Sequence, residues 1–194
     1  MELQKIDKKW WFFGAALLLQ FVVLFSWVVK SNDTIQQGTV YKFRLMGYDP
    51  HDPFRGEYLR IRFKDNTVDM PSDRLPSSMQ GNMYVSFYED EEGFAKPRDL
   101  SEYSSEERLR VKVITGYGSG LDSTLTTLCI SYPFDYFWMN QEDCPKAEHI
   151  INQALNDGLN VCALVSIKDG EGVLMDIEVD GIDIKTMLRE NYGD

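Results

Sequence analysis

Hydrophobic positions fall into two regimes along this chain. From Trp10 to Val29 they run almost unbroken, as WWFFGAALLLQFVVLFSWVV, with no charge and only Gln20 and Ser26 as polar side chains. Beyond Gly38 they alternate with polar residues at period two, the pattern of half-buried strands. The first regime predicts a helix about 30 Å long, the thickness of a bilayer core. Thr39 to Met46 places Tyr41, Phe43 and Leu45 on one face, with Lys42 and Arg44 on the other. Glu57 to Phe63 does the same with Leu59, Ile61 and Phe63 inward and Tyr58, Arg60 and Arg62 outward. Strands are likewise expected over Met83–Glu89, Arg108–Thr115, Leu125–Tyr132, Asn160–Ile167 and Val173–Val179, the last with Val173, Met175, Ile177 and Val179 facing the core.

Lys168-Asp169-Gly170-Glu171-Gly172 reads as a hairpin turn into the last of these strands, and Asp180-Gly181 as a second tight turn of the kind that favours two-residue hairpins. One helix interrupts the strands: Asn140 or Asp143 can cap it and Pro145 suits its first turn. Ala147, Ile150, Ile151, Ala154 and Leu155 form its apolar stripe, and Asn156-Asp157-Gly158 ends it. A short helical piece, Lys185 to Glu190, is expected near the end, while Met70–Asn82 and Pro97–Glu107 read as polar loops. The fold class that follows is mainly β (α+β), an antiparallel sheet or barrel-like domain with one packed helix. There is no βαβ rhythm, so a parallel nucleotide-binding sheet is not expected.

The apolar run sets the organisation: a cytoplasmic tail at 1–9, an anchor at 10–29, a polar linker at 30–38 and a domain at 39–194. Lys5, Lys8 and Lys9 precede the run and only Lys30 follows it closely, which predicts a cytoplasmic N-terminus and a domain outside the cytoplasm. Trp10, Trp11 and Trp27 lie where interfacial aromatics sit. A cleavable signal peptide would have a shorter apolar core and a small-x-small site. Nothing of that kind follows Phe25, so the segment reads as an uncleaved signal anchor.

Charge removes one class of partner. From Ser31 onward the chain holds 16 of its 20 Lys and Arg and 29 of its 31 Asp and Glu, a formal charge of −13. Nucleic acid and anionic lipid surfaces need cations, so neither is expected to bind the domain. Cys129, Cys144 and Cys162 are odd in number and in no Cys-x-x-Cys spacing. Two of them could pair outside the cytoplasm, but Cys129 and Cys162 lie in expected strands, which favours buried free thiols there.

Chemistry-bearing residues concentrate in two stretches. Asp49-Pro50-His51-Asp52-Pro53-Phe54-Arg55-Gly56-Glu57 has two Asp-Pro steps and a glycine ahead of a strand. Residues before proline are driven to extended backbone, so this reads first as a stiff corner with Gly56 as its turn residue. Asp52, Arg55, Glu57 and Tyr58 shape it and are candidate binding residues. Asp49, His51 and Asp52 could offer metal ligands, yet the prolines limit their convergence and only His149 remains as a second imidazole, so no metal or other cofactor is expected. The second stretch, Tyr132-Pro133-Phe134-Asp135-Tyr136-Phe137-Trp138, holds five aromatics around one acid. Some should fill the core. Asp135, Tyr136 and Trp138 are the candidates for an exposed contact surface, with Phe137 pointing in and Tyr136 and Trp138 sharing the parity of Phe134. No Gly-x-Ser-x-Gly or other catalytic constellation is present, so no enzymatic activity is expected.

Gly56-Glu57-Tyr58-Leu59-Arg60-Ile61-Arg62-Phe63 resembles the signature of the GDYXXLXY family. Gly56 and Tyr58 match it, while Glu57, Ile61 and Phe63 stand for its Asp, Leu and Tyr. Asp52-Pro53-Phe54-Arg55 is similar to the segment before that signature, Ser131 to Met139 to its second aromatic block, and Asp176 to Ile184 to its closing strand and turn. The resemblance implies a bacterial membrane-anchored protein without an assigned activity, of a kind often found beside polytopic membrane proteins. Residues and resemblance together lead to one expectation: an inner-membrane, single-pass accessory protein whose outer domain binds an integral membrane or envelope protein. Small-ligand or glycan binding is the alternative, and an envelope hydrolase comes third.

Overall fold

A computed structural model describes residues 8–47, 58–75, 83–118 and 124–192. The apolar run lies in α1 (Lys8–Gln37), which is longer than the span and leads without a break into the domain. This is the one helix among the described residues long and apolar enough to cross a membrane. The linker expected at 30–38 is therefore helical as far as Gln37. Its polar residues up to Gln37 include no helix breaker, and Lys30, Asp33, Thr34 and Gln37 have partners. The Ser166 hydroxyl donates to the Thr34 carbonyl at 2.6 Å, and Thr34 is 2% exposed. Lys168 pairs with Asp33 at 2.7 Å and Lys30 with Glu171 at 2.9 Å. At Gly38 the chain leaves the helix so close to the domain that a Cβ would sit 2.3 Å from Ser166 Oγ and 2.4 Å from the Thr34 carbonyl oxygen.

The domain is mostly antiparallel strand. In chain order these are β1 (Thr39–Met46), β2 (Tyr58–Arg60), β3 (Arg62–Phe63), β4 (Thr67–Pro71), β5 (Met83–Glu89), β6 (Ala95–Ser101), β7 (Leu109–Gly118), β8 (Leu125–Ser131), β9 (Tyr136–Trp138), β10 (Val161–Lys168), β11 (Glu171–Val179) and β12 (Ile182–Asp183). α2 (Cys144–Asn156) lies between β9 and β10, and α3 (Ile184–Tyr192) follows β12. One sheet runs β12-β11-β10-β1-β3, a second runs β4-β8-β7-β5-β6, and β2 and β9 form a separate two-stranded ribbon.

The two sheets curl into a nearly closed barrel, each seam held differently. On one side the β10–β11 turn meets the start of β7: Arg110 N–H donates to Gly170 O at 2.9 Å and Asp169 N–H to Glu106 O at 3.0 Å. On the other, the short β3–β4 connection ties β1 to β8, with Lys64 N–H donating to Arg44 O at 3.0 Å and Ile130 N–H to Asn66 O at 2.9 Å. Arg44 also reaches the β5–β6 turn, pairing with Asp90 at 2.8 Å and Glu92 at 2.7 Å while lying 4.2 Å over the Phe94 ring.

Both hairpin turns form, the first tighter than expected, since Lys168 still belongs to β10 and Glu171 already to β11. Asp169 and Gly170 have φ of 50° and 86°, Asp180 and Gly181 50° and 85°, the left-handed pair that a two-residue hairpin requires. α2 buries Ala147, Ile150, Ile151 and Ala154 as its stripe predicts and stops at Gly158, where φ is 76°. α3 begins where the Asp183 carboxylate accepts the Thr186 N–H at 2.8 Å; the Thr186 hydroxyl first, and then this backbone bond, hold its pKa below the usual value.

Three further expectations need correction. Val173 and Met175 do not face the core: the β10–β11 register shifts between Leu164 and Val165, so Met175 is the extra residue and Leu174 packs inward with Ile177 and Val179. Pro97–Glu107 is not all loop, because β6 occupies its first part. Pro97 fits there since β6 is an edge strand and lies beside a bulge at Ser86/Phe87. Likewise Met70 belongs to β4, whose Val68 and Met70 are buried and which ends at Pro71.

The barrel interior is aromatic at its centre. Phe43, 1% exposed, meets Phe87, Tyr132, Phe63 and Phe134 with centroids 5.0, 5.4, 5.7 and 6.0 Å away, all edge to face. The Tyr132 hydroxyl donates to the Asp65 carbonyl at 2.6 Å. Burial, with the charge of Asp65 adding to it, pushes that phenol far above its ordinary range. All three cysteines are free thiols, with Cys144 and Cys162 buried. Cys162 lies on β10 beside Glu178, and burial first, then that carboxylate, pushes its thiol from 9.0 up to about 11.

Two outcomes follow. Phe43→Ala should remove about 3–5 kcal/mol of stability, read as a lowered urea midpoint with an unchanged slope. Between pH 9.0 and about 11 the unfolded Cys162 loses its proton while the folded thiol keeps it. Stability contributed by this group is thus full below that window and falls as pH rises through it. Cys162→Ala should flatten this part of the alkaline unfolding profile.

Candidate interaction site

The strand predicted over Glu57–Phe63 changes partners at its middle. β3 pairs with the end of β1, Leu45 opposite Phe63 and Met46 opposite Arg62. β2 turns away to pair with β9, setting Tyr58 opposite Trp138, Leu59 opposite Phe137 and Arg60 opposite Tyr136. Between them Ile61 donates its N–H to the Asp135 carbonyl at 2.9 Å. Period two then divides the ribbon cleanly. Leu59 and Phe137 are buried, and Tyr58, Arg60, Tyr136 and Trp138 lie on the outer face.

The outer rings form a ladder. Tyr58 meets Tyr136 at 4.8 Å and Trp138 at 5.5 Å between centroids, at interplanar angles of 82° and 66°. Edge-to-face contacts at such distances hold the rings against one another and leave their outer faces to solvent. Tyr136 remains 40% exposed and Trp138 69%. Tyr58, assigned from sequence to a corner, and Tyr136 and Trp138, assigned to a contact surface, are thus parts of one surface. Phe134 does not share their fate. It precedes β9, where the chain still turns inward, and stacks on Tyr132 at 5.8 Å inside the barrel.

Beside the ladder a groove of about 410 Å³ opens between the β2–β3 strand and the β7–β8 pair. Arg60, Arg62, Asn66 and Asp135 supply its polar lining, Met46 and Ile114 its exposed apolar lining. Asp135, a candidate from sequence, reaches this groove from the start of the ribbon. Arg62 and Asn66 were not singled out from sequence. Outward parity marked Arg60 and Arg62 only as water-facing, and nothing local to Asn66 shows that β3–β4 folds it toward β8.

The remaining candidates Asp52, Arg55, Gly56 and Glu57, with Asp49 and His51, lie outside the described residues. His149 is exposed on α2, and no group of three His, Cys, Asp or Glu able to hold a metal ion occurs among the described residues.

The ladder sits far from α1. β1 starts at the helix exit and runs eight residues to Met46 beside β3, about 25 Å at strand rise. An N-terminal apolar helix fused to a nearly closed antiparallel barrel, with an aromatic ribbon at the end remote from that helix, defines the class of protein. The chain belongs to the GDYXXLXY protein family, whose model matches residues 20–177, from the middle of α1 to within β11. No curated protein and no solved structure matches it.

If the rings act as a unit, Tyr58 and Trp138 should couple. A double-mutant cycle with Tyr58→Ala and Trp138→Ala, read by denaturant unfolding, should return an interaction of about 0.5–1.5 kcal/mol.

Proposed function

We propose that this protein is a single-pass, N-in accessory subunit of the bacterial inner membrane, whose domain stands outside the cytoplasm and binds a membrane or envelope protein without catalysing a reaction. The observation carrying this reading is the Tyr58–Tyr136–Trp138 ladder, three rings kept partly in water by a ribbon whose inner face is already filled. Rigid aromatics with polar edges lose little conformational freedom on docking and dominate contact energies at interfaces. The position of the ladder adds a constraint. With α1 in the bilayer and its last turns fastened to β10, the surface lies well beyond the lipid headgroups, so the partner must present an extramembrane segment to it.

A second reading is favoured by the groove beside the ladder. Aromatic faces next to Arg60, Asn66 and Asp135 are the chemistry that stacks on sugar rings and hydrogen-bonds their hydroxyls.

The test is affinity capture of the full-length tagged protein from native membranes, beside Tyr136→Ala/Trp138→Ala. A near-stoichiometric partner held by the parent and lost, by tenfold or more, from a variant that still unfolds cooperatively supports the accessory reading. An absence of any partner, with tryptophan fluorescence of the purified protein shifting on titration with envelope glycans, moves the assignment to sugar binding.

A further inference from the structure

Gln20 stands at the middle of the Trp10–Val29 run, about 15 Å from either end. Where α1 crosses a bilayer, its amide is beyond snorkelling reach of either interface. It has no hydrogen-bond partner among the described residues. Hydrocarbon offers it none, and a polar side chain at such depth is met by a neighbouring helix.

The rest of the helix shows which side is free. Lys30, Asp33, Thr34 and Gln37 form the stripe that faces the barrel. At 3.6 residues per turn Gln20 lies roughly a quarter turn away from the centre of that stripe. A helix arriving at Gln20 therefore passes beside the barrel rather than into it. Phe13, Leu17, Gln20, Leu24 and Trp27 follow one another at four-three-four-three spacing, the seam of a two-helix coil, and all five are exposed on α1.

We propose that α1 pairs in the membrane with α1 of a second copy of this chain, in parallel, through this seam, with the two Gln20 amides hydrogen-bonded to each other. A second copy is the one occupant whose polar group is fixed at the same depth by the same sequence. An amide carries both donor and acceptor and so is its own complement. A two-fold axis along the seam sends the two barrels to opposite sides, and the ladders, at the far ends, stay open. The inference rests on α1 crossing a bilayer but not on the ladder having a partner.

The experiment is energy transfer between donor- and acceptor-labelled full-length protein in phospholipid vesicles, as a function of protein-to-lipid ratio. Gln20→Leu should weaken association about 3- to 30-fold, and Gln20→Asn should retain it. In the Gln20→Leu background, Leu17→Gln, on the same seam, should restore pairing. Leu18→Gln, on the opposite side, should not. Tyr136→Ala/Trp138→Ala should pair as the parent does, which separates this inference from the fate of the ladder. A parent that stays monomeric across the range, a Gln20→Leu variant that associates like the parent, or rescue by Leu18→Gln would overturn it. So would a stoichiometric different chain bound at this seam in native membranes in place of the second copy.

Discussion

The packing of four rings around Phe43 is the contact on which the rest of the structure depends. Phe43 comes from β1, Phe63 from β3, Phe87 from β5, and Tyr132 and Phe134 from the turn after β8. One side chain thus touches both sheets and the segment leading to β9. Large rings fill the wide middle of a barrel that aliphatic side chains would leave with voids, and edge-to-face geometry makes each contact directional as well as apolar. With the centre fixed, the seams can be light. A few backbone hydrogen bonds hold one at the β10–β11 turn, and Arg44 bridges toward the β5–β6 turn.

The ladder is a consequence of that packing. Tyr132 and Phe134 are drawn inward as a stacked pair, and the chain that follows must emerge at the barrel rim. There Tyr136–Trp138 finds Tyr58–Arg60, which has itself been released from β1 because β1 ends at Met46. Leu59 and Phe137 anchor the ribbon below and leave its upper rings to solvent. At the opposite end the Gly38 crossing and the Ser166–Thr34 bond join α1 to β10, so the ladder is separated from the apolar run by the barrel and a continuous helix instead of a loose tether.

Much of this was legible in the residues. Alternation placed β1 and β5 at their observed ends, and left-handed preference placed both Asp-Gly turns. The stripe and stop of α2 were equally plain, as was the length of the apolar run. What was not legible fails for identifiable reasons. β6 carries a proline, tolerated only because the strand is at an edge, and edge position is a property of the assembled sheet. The β11 bulge swaps Met175 for Leu174 with no local signal, since either residue is apolar enough to face the core. The helical stalk looked like a linker because the partners of Lys30, Asp33 and Gln37 are on β10 and β11, more than a hundred residues further along.

By itself, then, the sequence determined the periods: an unbroken apolar helix, a series of half-buried strands, the turns between them and the sides on which Tyr58, Tyr136 and Trp138 would lie. These are set by each residue's own backbone preference and by the two-fold or 3.6-fold repeat of its neighbours. Tertiary structure alone decided that Tyr58 and Trp138 stand opposite each other, that Arg60, Asn66 and Asp135 share a groove, and that the ladder lies by the end of β1 remote from α1. Those relations join residues some seventy to eighty positions apart. They come from strand pairing and from the filling of one aromatic core, which no local period encodes.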